Sequence, residues 1–141
     1  MNSKDSYRLE RFLDAQDPVF EKVCRELRAG QKQSHWMWFI FPQIAGLGSS
    51  PMAERYAISS LQEAEAYLND PILGKRLRLC TRLVVAIEGR SIEQIFGYPD
   101  NLKFHSSMTL FASTELKHQI FEDALQKYFA GGLDQKTLDR L

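Results

Sequence analysis

The sequence contains few cysteines, and none of them is in a metal-binding arrangement. Of its 141 residues two are cysteine and three are histidine, without the Cys-x-x-Cys or His-Glu-x-x-His spacing of common zinc sites. We therefore expect no metal site and no cofactor. Cys24 and Cys80 lie at apolar positions of helical patterns, which indicates buried thiols in the reduced form.

An excess of one charge and long apolar runs are also missing. The 18 Lys and Arg residues balance 18 Asp and Glu residues, whereas proteins that hold nucleic acid through its phosphates generally carry a basic excess. We expect no nucleic-acid partner. Without a signal-peptide pattern or a run of about eighteen apolar residues, we predict a cytoplasmic protein that does not interact with a membrane. The sequence does not predict an oligomeric state.

The alternating pattern of half-buried strands is almost absent, while helical spacing recurs throughout the chain. A capping residue followed by proline indicates helix starts at three places: Asp17-Pro18, Ser50-Pro51 and Asp70-Pro71. Further helix N-caps are predicted at Ser60, Ser91, Asp100, Ser113 or Thr114, and Asp134. We predict one compact all-α domain over residues 1–141, with about six to eight helices.

The segment Ser34–Gln43 concentrates rare residues, because it contains both tryptophans and one of the histidines. His35 is a candidate acid–base catalyst, since its ordinary pKa lies near neutrality, and we expect the indoles to desolvate it partly. Alternatively, His35 is a residue at the edge of the core that bonds to backbone. Trp36 and Trp38 are two residues apart and point in different directions. We expect one in the core and one stacked on a planar ligand.

A glycine-rich loop, Gly46–Ser50, follows this segment. The amide of Gln43 either reads the edge of a base or a carbonyl group, or ties the loop together. The loop leads into a predicted helix, whose first N–H groups favour a phosphate. It has neither a complete dinucleotide fingerprint nor a Walker lysine.

A second group of candidates lies on one face of a later helix, where Lys103 precedes Ser106 and Ser107 by one turn. We predict that Lys103 contacts a phosphate or carboxylate and that the two hydroxyls add hydrogen bonds. Asp100 either caps this helix or pairs with Lys103 as a catalytic carboxylate. His105 lies on another face by this spacing, and we assign it no chemistry.

Three strings of residues resemble one family. They run from His35 to Gln43, from Ile95 to Phe111 and from Phe129 to Leu138. Together they are similar, over nearly the whole chain, to domain-of-unknown-function family 1810, a bacterial family of small helical proteins. The resemblance implies an all-helical fold and supplies no activity. The label "calpastatin" that some members carry is unsupported here, because the chain contains nothing like a calpain-inhibitory repeat.

A fainter similarity links the chain to the NADAR group of ADP-ribosyl glycosidases, which are also small helical proteins. The shared features are Lys103-Phe104 on a helix after a glycine turn, and a terminal aspartate. Fold analogy of this kind does not establish a function.

Two functions are compatible with these residues. The first is a site for an anionic, partly planar small molecule such as a nucleotide or ADP-ribose-like compound. If the protein is an enzyme, we expect hydrolysis of a glycosidic or phosphate-linked bond, with His35 or Asp100 as acid or base and Lys103 stabilising negative charge. The alternative is a non-enzymatic interaction module anchored by Trp36 and Trp38.

Overall fold

The computed structural model describes residues 5–116 and 118–141. Within these ranges the chain forms ten helices and no strand, which confirms the all-α prediction. The count exceeds six to eight because four helices have only four or five residues. The helices are α1 (Glu10–Gln16), α2 (Phe20–Arg28), α3 (Met37–Ile40), α4 (Pro51–Arg55), α5 (Leu61–Asn69), α6 (Leu73–Val85), α7 (Ile92–Phe96), α8 (Asp100–Ala112), α9 (Gln119–Phe129) and α10 (Gln135–Leu138).

Helix α6 is central, as its long apolar pattern predicts. It packs against α2, α5 and α9, and one side of it is almost completely removed from solvent: Leu73, Leu77, Cys80 and Val84. Each buried aliphatic side chain contributes about 1.5–3 kcal/mol relative to exposure. Cys24 and Cys80 are both buried and free, as expected.

Most predicted N-caps form, at the starts of both short and long helices. Side-chain oxygens accept hydrogen bonds from backbone N–H groups in the first turn at Ser50, Ser60, Ser91 and Asp134. Asp70 also accepts from the N–H groups of two residues at the start of α6. Ser91 and Gln94 form the complete reciprocal capping box.

Three predicted caps are wrong, because other partners take the side chains. Asp17 ends α1, and its carboxylate pairs with the guanidinium of Arg76 at 2.9 Å. Asp100 lies inside the first turn of α8 and caps nothing. The hydroxyls of Ser113 and Thr114 donate to carbonyl groups of α8, so they end that helix and do not begin α9.

Helix α8 is the scaffold of the region described below, since it packs against α5, α7, α9 and α10. Opposite its first turns lies the glycine-rich loop. A short parallel bridge between Ile44 and Ile58 pins the start of this loop. None of the described helices is long and apolar enough to cross a membrane.

Candidate functional site

A buried carboxylate organises the start of the aromatic segment. Glu26 on α2 accepts hydrogen bonds from the backbone N–H groups of Gln33 and Ser34, from the Ser34 hydroxyl at 2.6 Å and from the indole Nε1 of Trp36 at 2.9 Å. Burial raises the pKa of Glu26, but these hydrogen bonds outweigh it and lower the pKa to about 2. Glu26 therefore stays ionised and holds Trp36 in place.

The two tryptophans have different environments, as their spacing predicts. Trp36 is only 1% exposed and packs against the rings of Phe41 and Phe96. Trp38 is half-buried, and the Nζ atom of Lys103 lies 5.1 Å from its ring centroid. This distance is within the range of a cation–π contact. Trp36 belongs to the core, whereas Trp38 orients a cation.

Asp100 bridges two lysines. Its Oδ2 atom lies 2.8 Å from Nζ of Lys32, and its Oδ1 atom lies 3.4 Å from Nζ of Lys103. The Lys32 side chain is 8% exposed, and its Nζ lies 5.2 Å from the ring of Trp36. The predicted pairing of Asp100 with Lys103 is present, and one positive charge in the cluster remains unbalanced. A catalytic role for Asp100 stays a prediction.

A groove of about 630 Å³ lies between the glycine-rich loop and the first turns of α8, with the start of α10 at one end. We call it the main groove. It is lined by Gln43, Leu47, Gly48, Ser49, Ser50, Ala53, Pro99, Leu102, Lys103, His105, Ser106, Asp134 and Lys136.

The main groove gathers three of the predicted site residues: Gln43, Lys103 and Ser106. Five others do not line it: His35, Trp36, Trp38, Asp100 and Ser107. His35 is exposed. Ser107 is completely buried, and its hydroxyl has no hydrogen-bond partner among the described residues. The functional roles of these residues stay predictions.

The junction of the loop with α4 offers few donors to a phosphate. Pro51 has no N–H group, and the N–H of Ala53 already donates to the Ser50 hydroxyl at 3.1 Å. The helix has only five residues. The positive charge in the main groove therefore comes from two side chains, Lys103 and Lys136.

His105 lines the main groove although sequence reasoning left it out. Its Nε2 atom lies 2.7 Å from the carbonyl oxygen of Gly132, and its ring stacks on Phe129 at a centroid distance of 3.9 Å. Because a carbonyl only accepts, Nε2 donates this hydrogen bond, and in the tautomer with a proton on Nε2 alone Nδ1 is the acceptor. His105 lies three residues after Leu102, which also lines the main groove, so the two side chains share one face of α8. This spacing is the signal in the sequence that points to His105.

Asp134 attaches α10 to α8. Its Oδ2 atom accepts hydrogen bonds from the hydroxyls of Ser106 at 3.0 Å and Thr137 at 2.6 Å, and its backbone N–H donates to the Thr109 hydroxyl. The sequence predicts the cap but not these contacts with α8. This attachment brings Lys136 to the main groove.

Across residues 5–116 and 118–141, no group of three or more His, Cys, Asp or Glu side chains is arranged to hold a metal ion.

Comparison with known proteins gives a family without an assigned activity. The DUF1810 profile, described as a protein of unknown function, matches residues 6–141. The conserved hypothetical protein Rv1873 from Mycobacterium tuberculosis, of which a crystal structure exists, shares 58% sequence identity with the chain. The alignment covers 94% of this chain and 95% of that one, with a TM-score of 0.91. Among curated proteins, none matches the chain. The chain therefore belongs to the DUF1810 family.

Proposed function

We propose that the main groove binds an anionic small molecule that is nucleotide-like or ADP-ribose-like. The observation that carries this proposal is the convergence of Gln43, Lys103 and Ser106 on one cavity. Lys103 and Ser106 lie one turn apart on α8, whereas Gln43 comes from a segment about sixty residues earlier in the sequence. A cavity of about 630 Å³ is within the range of small-molecule sites.

The cations of the main groove suit a phosphate group. Lys103 is held between the ring of Trp38 and the carboxylate of Asp100, so little side-chain freedom remains to be lost when it binds an anion. Lys136 adds a second cation. Hydrogen bonds from ammonium groups to phosphate oxygens are about twice as strong as those between neutral groups.

The remaining lining suits a planar ring. Leu47, Pro99 and Leu102 supply apolar surface, and Leu102 is 50% exposed. Gln43 has no side-chain hydrogen-bond partner among the described residues, and its amide offers both a donor and an acceptor to a base edge. A ring placed here covers apolar surface that otherwise contacts water.

A thermal-shift titration with adenosine 5′-monophosphate and ADP-ribose tests the binding proposal. At about 100 times Kd a ligand stabilises the folded state by about 2.7 kcal/mol, so the melting temperature rises. Lys103→Gln removes most of this rise, because a hydrogen bond to a charged group contributes about 1.5–3 kcal/mol. Lys75→Gln is the matched control, since Lys75 is exposed on α6 and does not line the main groove. An unchanged melting temperature, or an undiminished rise in Lys103→Gln, contradicts the proposal.

His105 supports a second proposal, hydrolysis of a glycosidic or phosphate-linked bond in the bound ligand. A water oxygen forms the new bond to carbon or phosphorus, and the leaving group departs with its electron pair. The Nδ1 atom of His105 accepts the proton of the water, and Lys103 stabilises the negative charge that develops. We assign the role of base to His105 because, unlike His35 and Asp100, it lines the groove.

Hydrolysis is measured by ³¹P and ¹H NMR during incubation with ADP-ribose and with N-glycosidic nucleotides. His105→Asn lowers the rate about hundredfold or more, the contribution of a general base, while His35→Asn leaves the rate unchanged. Equal rates for His105→Asn and the unmodified protein exclude His105 as the base. If no compound is turned over, the hydrolytic proposal fails and the binding proposal is unaffected.

The alternative of an interaction module anchored by tryptophan gains no support. Trp36 is 1% exposed, and Trp38 is half-buried with the Lys103 ammonium group near its ring. An anchoring indole inserts into a partner's pocket and requires an accessible ring.

A further inference from the structure

We propose that the main groove continues into a second, cationic depression, and that the two together bind a ligand with a phosphate or pyrophosphate centre and a group on either side. This inference rests on the proposed function of the main groove. The second depression, which we call the side groove, has a volume of about 540 Å³. It shares Leu47 and Lys136 with the main groove and is further lined by Ser59, Asp139 and Arg140, so its two cations outnumber its one carboxylate.

Two cations are available where the grooves meet. Lys136 and Arg140 both belong to the C-terminal segment around α10, and neither pairs with a carboxylate in the described part of the chain. The nearby acidic side chains have other partners. Asp134 accepts from Ser106 and Thr137, and Asp139 accepts from the amide of Gln135 at 2.8 Å. Lys136 and Arg140 have no ion-pair partner in the described part of the chain, so their ammonium and guanidinium groups are available to an anion.

The glycine-rich loop accommodates Arg140 closely. The guanidinium group occupies the space that a Cβ atom on residue 46 would fill, with its Cζ atom 2.6 Å from that position. Gly46 also has a φ of +95°, which side-chain-bearing residues rarely adopt. The backbone conformation thus favours glycine, and Arg140 lies directly against the loop.

This arrangement selects a class of ligand. Because Lys136 lines both grooves, an anionic centre bound there has one cavity on each side. A mononucleotide has its phosphate at one end and fills only one cavity. A molecule in which a pyrophosphate joins two ring-bearing halves places its charge at Lys136 and Arg140 and one half in each groove. The apolar wall of Leu47, Pro99 and Leu102 favours the planar half in the main groove.

Isothermal titration calorimetry of the full chain with ADP-ribose and with adenosine 5′-monophosphate tests this inference. ADP-ribose binds at least about tenfold more tightly, because it reaches an additional charged hydrogen-bond donor. Arg140→Gln raises the Kd of ADP-ribose about tenfold and changes the Kd of the monophosphate by less than about threefold. Lys136→Gln raises the Kd of both ligands. Lys75→Gln, the exposed control on α6, affects neither.

The outcomes separate the inference from the proposed function. If the two ligands bind equally and Arg140→Gln changes neither Kd, the side groove is not a subsite, while a loss of monophosphate affinity in Lys103→Gln still supports the main groove. If the unmodified protein binds neither ligand, the proposed function fails and the inference with it. Arg140 is exposed, and an unchanged melting temperature of Arg140→Gln shows that the variant is folded.

Discussion

Glu26 is the residue on which the conformation of the aromatic segment depends most. A single carboxylate, 8% exposed, accepts four hydrogen bonds from residues of the 33–36 segment. Replacing it with the isosteric amide turns one acceptor into a donor that faces other donors. We expect Glu26→Gln to lower the free energy of unfolding by about 1–3 kcal/mol at neutral pH. Urea denaturation measures this difference.

The same residue predicts a pH dependence. The pKa of Glu26 is lowered from 4.5 to about 2, so its stabilisation is complete above about pH 4.5 and is lost as the pH falls towards 2. The difference in unfolding free energy between the unmodified protein and Glu26→Gln therefore shrinks between pH 5 and about pH 2. Glu21→Gln, an exposed substitution on the same helix, shows no such trend. If the difference in unfolding free energy between the unmodified protein and Glu26→Gln is the same at every pH in this range, the account is contradicted.

At the scale of the elements, α10 is attached to the fold through Asp134. Asp134→Ala removes the cap of α10 and the hydrogen bond to Ser106. The loss of a cap costs about 0.5–2 kcal/mol. We expect faster hydrogen–deuterium exchange over residues 135–141 and unchanged exchange in α5, which α10 does not contact extensively. Protected amides in 135–141 of the variant would show that other contacts hold the helix.

The helix starts show which parts of the fold can be predicted from the sequence. The capping box of Ser91 and Gln94 is predicted correctly because its two partners are three residues apart. The caps at Asp17 and Asp100 are wrong because Arg76 and Lys32 compete for these carboxylates. An ion-pair partner that is distant in the sequence leaves no signal in the local pattern of residues. The local pattern therefore predicts a helix cap at positions where the folded chain forms an ion pair.

At the scale of the whole molecule, the balanced charge conceals a local excess. Equal numbers of acidic and basic residues are compatible with a local cluster of cations. Here Lys103, Lys136 and Arg140 line the main groove and the side groove. The acidic side chains near that cleft are held by hydrogen bonds within the chain. Net charge therefore gives no information on whether one surface of this protein binds an anion.

The candidate site is predicted only in part. The motifs point to Gln43, Lys103 and Ser106, and the fold brings them to one groove. His35 attracts attention by its rare neighbours but is exposed. Lys136 and Arg140 become candidates only when α10 is placed beside α8 and the loop. Residue types therefore predict one wall of the cleft, and tertiary packing supplies the other.

The central claim is that an anionic nucleotide-like ligand binds between the glycine-rich loop, α8 and α10. Titration of the ¹⁵N-labelled protein with ADP-ribose, followed by two-dimensional ¹H–¹⁵N NMR, tests it most directly. The account predicts saturable shift changes in residues 46–50, 103–106 and 134–140, with α2 unaffected. Changes confined to residues 33–38 around His35, or no change at all, would contradict it.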